Sequence, residues 1–382
     1  MNELFKDKRI LFISYTSFLQ EFYQTLPHQI ALQSGAQVQV LVPEYWREIW
    51  SGGKIYLEKT SDPYYKLSTG TVAFNGNLHF AFFINALKKI LIEFNPDIID
   101  LENEPFNAGS FQIFKYRDKY SPKSKIVLHA SQHQFKRYPF PFNFIEKQVL
   151  KNVDAILVRN SMAKDVLNRK GYSGILEIMT HGVDTSAFKP DKTKKGLYKL
   201  NPDYKPLIGY VGALAEHKGL TYLLKAVKGL KCKVILIGDG PEKHLLKNLA
   251  NQLKLDVDFI PPKKHEEVAE YMNSMDIFVL PSLTRSNWVE KFGRVLIEAM
   301  ACGIPVIGSS SGEIPNVLGD AGIIVPEGNA KELNQRIKEL IENPESRQHF
   351  SKKGRQRVVR KYSWKIIAKQ TIDIYQRILQ RE

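Results

Sequence analysis

Two glutamates bracket the start of a helix-patterned apolar run in VEKFGRVLIEAMAC (289–302): Glu290 just ahead of it and Glu298 within it, with seven residues between them. A helix N-terminus presents free backbone N–H groups and a partial positive charge, which suits a diphosphate. Gly293, at the helix start, lets that backbone approach a ligand closely. Glu298, about a turn and a half further in, can accept hydrogen bonds from vicinal hydroxyls, as a carboxylate does with a ribose. The same spacing fits a capped helix with two surface carboxylates, and spacing alone does not separate the two. Elsewhere, Gly238-Asp239-Gly240 fails as a dinucleotide loop because the third glycine is missing. The Asp/His pairs have no catalytic-triad context.

The elements that must carry these residues alternate between short apolar runs and amphipathic stretches. RILFIS (9–14), QVQVLVP (37–43), DIIDLE (97–102), KIVLHA (125–130), AILVRN (155–160) and ILEIMTHG (175–182) read as strands. Helical patterns run up to Ser34, over Leu78–Phe94 and over Glu146–Asn152. Residues 185–206 hold three prolines and six lysines without an apolar period and read as a linker. The alternation then restarts with PLIGYVGAL (206–214), LTYLLKAVKGL (220–230), CKVILIGDG (232–240), EKHLLKNLANQL (242–253) and DVDFIPP (256–262). DIFVLPS (276–282), VLIEAMAC (295–302), PVIGSS (305–310) and AGIIVP (321–326) complete it, before one or two long amphipathic helices at the end. Such alternation predicts α/β architecture, with parallel sheets wrapped by helices on both faces. Ligands in such sheets bind beyond the carboxyl ends of the strands, so residues just after strand ends matter most.

At 382 residues, two domains are the natural division. The hydrophobic share of 43% and charged share of 25% are those of a globular chain and argue against wholesale disorder. The only cysteines, Cys232 and Cys302, lie far apart without metal-like spacing, which predicts no disulfide framework and a reducing cytoplasm. The apolar part of the first residues is only about five long, too short for a signal peptide. No run approaches the roughly 18–20 apolar residues of a membrane span. The net charge of +15 is spread over both halves. It favours polyanionic small molecules or an anionic membrane surface over a nucleic-acid arm, and a merely solubilising surface fits equally.

The long stretch 276–328 resembles the signature of the retaining glycosyltransferases of family 4, the glycosyl transferases group 1. Its parts are Glu290, Phe292-Gly293, Glu298-Ala299-Met300-Ala301-Cys302-Gly303-Ile304-Pro305-Val306, Glu313-Ile314-Pro315 and Gly322 to Pro326. GYVGALAEHKGLTYLLKAV (209–227), LIGDGPE (236–242), LVRNSMAKDVL (157–167), HGVDTSAF (181–188) and RKYSW (360–364) extend the likeness over most of the chain. The resemblance implies the GT-B fold: two Rossmann-like doubly wound domains facing an interdomain cleft. The N-terminal acceptor domain would span 1–190 and the linker 191–206. The donor-nucleotide domain would span 207–362, with a C-terminal helix over 363–382 crossing back to the first domain.

The same resemblance implies the roles. Lys218 neutralises the donor diphosphate, Glu290 holds sugar hydroxyls, and His129 is a cleft histidine near the transferred sugar. Lys263 lies in the loop that reads the nucleobase. Lys291, Phe292, Gly293 and Arg294 around the helix start, Glu298, and Gly212 and Ser14 in strand-end loops complete the donor-binding set. The expected reaction moves a sugar, with retention, from a nucleoside-diphosphate sugar, UDP- or GDP-linked, to a saccharide, lipid-linked or small-molecule acceptor. No cofactor and no metal are expected, since no clustered Asp-x-Asp precedes a metal-binding loop. Nucleic acid is not expected as a partner, whereas peripheral contact with the inner face of a membrane is compatible with the charge. The alternative is a catalytically silent nucleotide-sugar-binding subunit of a membrane-associated complex. Two departures permit it: Ala213 stands where the family often has Arg, with Arg294 or Arg285 as substitutes, and Ser14-Tyr15-Thr16-Ser17 replaces a glycine pair. The acceptor region is aromatic-rich, with Trp46, Trp50, Tyr64, Tyr65, Phe80, Phe82 and Phe83 expected mostly in the core. The strand end Asp100-Leu101-Glu102-Asn103-Glu104 is a candidate acceptor contact.

Overall fold

A computed structural model describes residues 5–19, 21–48, 53–58, 61–191 and 205–381. Most of the linker stretch, residues 192–204, lies outside the described residues, as does Trp50. The chain divides into two compact units, residues 1–180 with 364–382, and residues 181–363.

The first unit is built on strands β1 (Arg9–Ser14), β2 (Gln37–Pro43), β5 (Tyr65–Gly70), β8 (Ile98–Glu102), β9 (Lys125–Ala130), β10 (Ala155–Val158) and β11 (Ile175–Ile178). They form one parallel sheet in the order β11-β10-β9-β8-β1-β2-β5. Two small antiparallel pairs, β3 (Tyr45–Arg47) with β4 (Lys54–Tyr56) and β6 (Val72–Ala73) with β7 (Phe82–Phe83), stand apart from it. The central strands are buried on both faces, which is why their sequences are mostly apolar rather than alternating. The final helix, Trp364–Leu379, belongs to this unit. Its buried Trp364, Ile367, Ile372, Tyr375 and Ile378 join the first core. The break that frees it from the preceding helix, Pro344–Lys361, falls at Tyr362-Ser363.

The second unit has β12 (Leu207–Val211), β13 (Lys233–Ile237), β14 (Val257–Ile260), β15 (Ile277–Leu280), β16 (Val306–Ser309) and β17 (Ile323–Val325), all parallel, in the order β14-β13-β12-β15-β16-β17. Both units therefore have the doubly wound order in which the chain first winds outward one way and then the other. The reversal lies between β1 and β8 in the first and between β12 and β15 in the second. At such a switch point the loops leaving adjacent strands diverge to opposite faces and leave a crevice.

One expected helix is largely replaced. Of Leu78–Phe94 only Leu87–Glu93 is helical; the earlier part makes a turn and strand β7. The Asn85 side chain accepts from the Thr71 N–H at 2.8 Å, and the Ile84 N–H donates to the Thr71 carbonyl at 2.9 Å. These long-range bonds fix a hairpin that outweighs the local helical period, and Ala86, at φ 64°, blocks extension of the helix backwards. The aromatic residues divide: Trp46, Tyr65 and Phe83 are core, whereas Tyr64 and Phe80 are exposed. No helix among the described residues is long and apolar enough to cross a membrane.

Candidate active site

The second unit gathers its chemistry at its switch point. Strand β12 ends at Val211; the N–H of the following Gly212 donates to the Ile237 carbonyl at 2.9 Å, and a short turn, Glu216–Lys218, comes next. Gly219 makes the step from that turn into the helix Leu220–Ala226 at φ 67°, and a Cβ there would sit 2.1 Å from the Pro281 carbonyl oxygen. Only glycine both accepts this conformation and allows so close an approach. The approach docks the turn on the end of β15, where the Leu283 N–H donates to the His217 carbonyl at 2.8 Å.

Lys218 is thereby delivered to Glu290. Its Nζ lies 2.7 Å from Glu290 Oε2, and the Ser282 hydroxyl donates to the same oxygen at 3.0 Å. The residues are 72 apart in sequence, and the Glu290 carboxylate is held with only 8% of the residue exposed. The Lys218 ammonium also sits 4.6 Å from the centre of the Trp288 ring, and the His217 ring packs on that indole with centroids 4.0 Å apart and the planes tilted by 38°. Burial, and then the charge of Lys218, hold the His217 imidazole below its ordinary pKa. A neutral imidazole beside a paired ammonium adds no second positive charge to the site.

The helix Arg294–Ala301 begins four residues beyond Glu290, directly after Lys291-Phe292-Gly293. Gly293 caps it at φ 75°, the left-handed region, where a Cβ would press on Leu296 Cδ1 at 2.8 Å. Phe292 turns its ring inward between His181 and Tyr362, at centroid distances of 5.5 and 5.9 Å, so its contribution to a ligand is backbone. Lys291 is exposed beside it. Glu298 is only 2% exposed; Arg294 Nε and His265 Nε2 each lie 3.1 Å from its Oε1. The His265 ring packs on Phe188 at 4.7 Å. Lys263, two residues before His265, pairs with Glu267 at 3.5 Å, and that carboxylate raises its ammonium pKa. The loop carrying Lys263 thus leads directly into a residue that holds Glu298.

Neither suggested substitute for the missing arginine stands apart from a carboxylate. Arg285 Nη2 lies 2.8 Å from Glu216 Oε1, and Arg294 is bound to Glu298. Ala213 itself is exposed, and its carbonyl accepts the buried Tyr210 hydroxyl at 2.8 Å.

Ser14 and His129 belong to the first unit. Ser14 ends β1 and donates to Glu102 Oε2 at 3.1 Å across the β1–β8 switch point, and Arg159 Nη2 binds the other oxygen at 3.1 Å. The His129 side chain is only 2% exposed, with Nε2 3.0 Å from Asp100 Oδ2. The Tyr375 hydroxyl from the final helix donates to that oxygen at 2.6 Å. Burial, and then the Asp100 charge, push the Tyr375 hydroxyl well above its usual pKa, so it stays a donor. In the candidate acceptor strand end, Asp100 and Glu102 are thus held by neighbours, and Glu104 accepts from the Ser131 N–H at 2.8 Å and hydroxyl at 2.9 Å.

Three groups at the second site went unnoticed in the sequence. Trp288 and His217 are neighbours of Glu290 and Lys218 along the chain, a signal that was present. His265 reaches Glu298 from 33 residues away, and no local pattern marks it. Among the described residues no three His, Cys, Asp or Glu side chains are grouped to hold a metal ion.

Residues 191–357 match the family described as Glycosyl transferases group 1. The GDP-mannose-dependent monoacylated alpha-(1-6)-phosphatidylinositol monomannoside mannosyltransferase of Corynebacterium glutamicum is 29% identical over 212 residues, 52% of this chain and 56% of its own. The alpha-maltose-1-phosphate synthase of Mycolicibacterium smegmatis is 26% identical over 267 residues, 62% of this chain and 66% of its own. The matched region thus spans 56% and 66% of the length of these two curated relatives. Among solved structures, sucrose-phosphate synthase from Thermosynechococcus elongatus matches 98% of this chain and 100% of its own with a TM-score of 0.73 at 19% identity. The Anabaena protein Alr3699/HepE, solved in complex with UDP, matches 97% of this chain and 100% of its own with a TM-score of 0.71 at 16% identity. These likenesses place the two Rossmann-like units in the GT-B fold class.

Proposed function

From a chain whose residues 191–357 match the Glycosyl transferases group 1 family, we propose a glycosyltransferase. It moves a sugar from a nucleoside-diphosphate sugar to a saccharide, lipid-linked or small-molecule acceptor in the reducing cytoplasm. The observation that carries this reading is the convergence of Lys218, Glu290 and the Gly293 helix start at the β12–β15 switch point. A diphosphate laid over that helix start meets the partial positive charge of the first turn and a lysine whose position is fixed by Glu290 and Trp288.

The transfer breaks the bond between the anomeric carbon and the diphosphate oxygen, and negative charge grows on the leaving group. Lys218 and the helix start stabilise that charge without reorganising, because both are set before the donor arrives. They supply the positive charge that a divalent ion would bring, so the reaction proceeds without one; unchanged turnover in a chelator is the corresponding test. Glu290 orients the sugar hydroxyls, Glu298 takes the ribose hydroxyls, and the loop of Lys263 reads the nucleobase. Lys291, Phe292, Arg294 and Gly212 line the donor path through backbone and charge. Ser14 and His129 serve the first unit's side of the reaction, His129 through its Asp100 and Tyr375 support. The acceptor oxygen attacks on the face from which the diphosphate departs, the leaving phosphate oxygen takes the acceptor's proton, and the anomeric configuration is retained.

The GDP-mannose dependence in the name of the Corynebacterium relative and the UDP in the Anabaena complex make these two nucleotides the first to test. A thermal-shift screen of the purified chain against UDP- and GDP-sugars, followed by assay of nucleoside diphosphate release, decides the matter. A donor that binds only the folded state raises the melting temperature. A panel in which no sugar nucleotide shifts the transition or is turned over contradicts the proposal.

A further inference from the structure

The shortness of the helix Leu87–Glu93 leaves part of the first unit's sheet without a cover. Side chains alternate between the two faces of a strand. On one face of the β2–β5 pair, Val38, Val40 and Val42 stand beside Tyr65, Leu67 and Thr69. That face is taken by the helix Glu21–Ser34, where the Tyr65 hydroxyl donates to Gln24 Oε1 at 2.7 Å. The other face carries Gln37, Gln39, Lys66 and Ser68. At its carboxyl end Phe83 and Ala86 close over it, so that a Cβ on Gly70 would lie 2.9 Å from the Phe83 ring and 3.2 Å from Ala86 Cβ. Towards the amino end the four polar residues line a groove of about 670 Å³. Its opposite side is Lys89, Ile90 and Glu93 of the short helix, with Phe94 after it. Gln37 starts β2, roughly 20 Å before the carboxyl end of that strand, whereas Ser14 and Glu102 stand at the carboxyl ends of β1 and β8.

The protein itself uses these polar groups only in part. Gln39 is 4% exposed, and its Nε2 donates to the Ser68 hydroxyl at 2.9 Å. Among the described residues nothing donates to Gln39 Oε1 and nothing accepts the Ser68 proton. The Gln37 and Lys66 side chains have no partner among the described residues either. Lys89 and Glu93 face each other at 3.9 Å, so the helix side is close to neutral. A buried amide oxygen is costly unless water or a ligand supplies a donor. An anion would meet that oxygen and the Glu93 carboxylate. The apolar face of a partner helix would take four polar side chains out of water. A sugar hydroxyl both donates and accepts, and the C–H face of a sugar ring suits the small apolar side made by Ile90 and Phe94. The volume falls within the roughly 300–1,000 Å³ of small-molecule sites.

We propose that this groove binds a short oligosaccharide, its hydroxyls on Gln37, Gln39, Lys66 and Ser68. That such a site retains the acceptor or product chain of the transfer rests on the proposed function; the binding itself does not. The test is titration of maltotriose, mannotriose and cellotriose into the full, isotope-labelled chain without donor, read by amide NMR. At least one of them should shift the resonances of β2, β5 and residues 87–94. Gln39→Met, which keeps the length of the side chain and loses the amide, should raise its Kd about 2- to 10-fold. Gln37→Ala, at an exposed position, should do the same without moving the melting temperature. If Gln39→Met does not fold, Gln37→Ala carries the comparison alone. Absence of shifts with all three sugars at about 10 mM overturns the proposal. So do shifts confined to strand-end residues such as Ser14 and Glu102, or a Kd that the variants leave unchanged. A chain that turns over a sugar nucleotide but binds no sugar here keeps the transferase reading and loses this site. One that binds a trisaccharide here but turns over no donor does the reverse.

Discussion

Removing the Glu298 carboxylate separates a ligand-binding role from a structural one. Glu298 is buried, but its two cationic partners, Arg294 and His265, have side chains 37% and 36% exposed and can return to water when it is lost. Partly exposed pairs of this kind contribute about 0–1 kcal/mol each. Glu298→Gln keeps the shape of the side chain, so no cavity opens beneath the helix Arg294–Ala301 and the fold should lose about 1 kcal/mol or less. The donor should suffer more. A ribose hydroxyl bound to a carboxylate makes a charged hydrogen bond, and losing it costs about 1–3 kcal/mol, a rise in Kd of about 5- to 150-fold. Calorimetric titration of a bound nucleoside diphosphate into both proteins reads the Kd, and a thermal melt reads the fold. A donor Kd unchanged in Glu298→Gln, with a melting temperature that falls sharply, would refute the ribose role and leave Glu298 as a structural tie for Arg294 and His265.

Lys218→Ala should reduce kcat on the order of 10²-fold with a smaller rise in KM, because the charge it meets grows in the transition state; steady-state kinetics that show a pure KM effect count against it. Gly293→Ala forces a Cβ onto Leu296 at φ 75° and should destabilise the second unit by about 1–3 kcal/mol; an unchanged denaturation midpoint would show that the helix start can relax. His217 should titrate below its ordinary range in NMR, and Lys218→Ala should move it up, since burial and the Lys218 charge both hold it down while Glu290 pulls the other way. As a base with a depressed pKa, His217 leaves the fold undisturbed at neutral pH, and its destabilising effect begins as pH falls through the unfolded-state pKa of about 6.5. A His217 pKa that stays put in Lys218→Ala would mean that burial alone sets it.

The strands were readable because their physics is local. AILV and IFVL are buried on both faces and apolar at every position, RILFIS and KIVLHA are apolar through their middles, and each appears within a residue or two of where the sequence puts it. The stretch of the candidate site was legible as one unit for a related reason: Glu290, Gly293 and Glu298 lie in one continuous segment whose geometry is set by a single helix start. What could not be read was pairing over distance. The likeness to a family marked Lys218 and Glu290 singly, but their 2.7 Å contact depends on Gly219 docking against Pro281. The helical period over residues 78–86 was outweighed by hydrogen bonds to Thr71, which no local pattern foretells.

The structure of the chain with a nucleoside diphosphate bound tests the central claim most directly. The diphosphate should lie over the Gly293 helix start within hydrogen-bond reach of Lys218 Nζ, with the ribose hydroxyls on Glu298. A nucleotide held elsewhere, with Lys218, Glu290 and Glu298 left only to one another and their present partners, would contradict it.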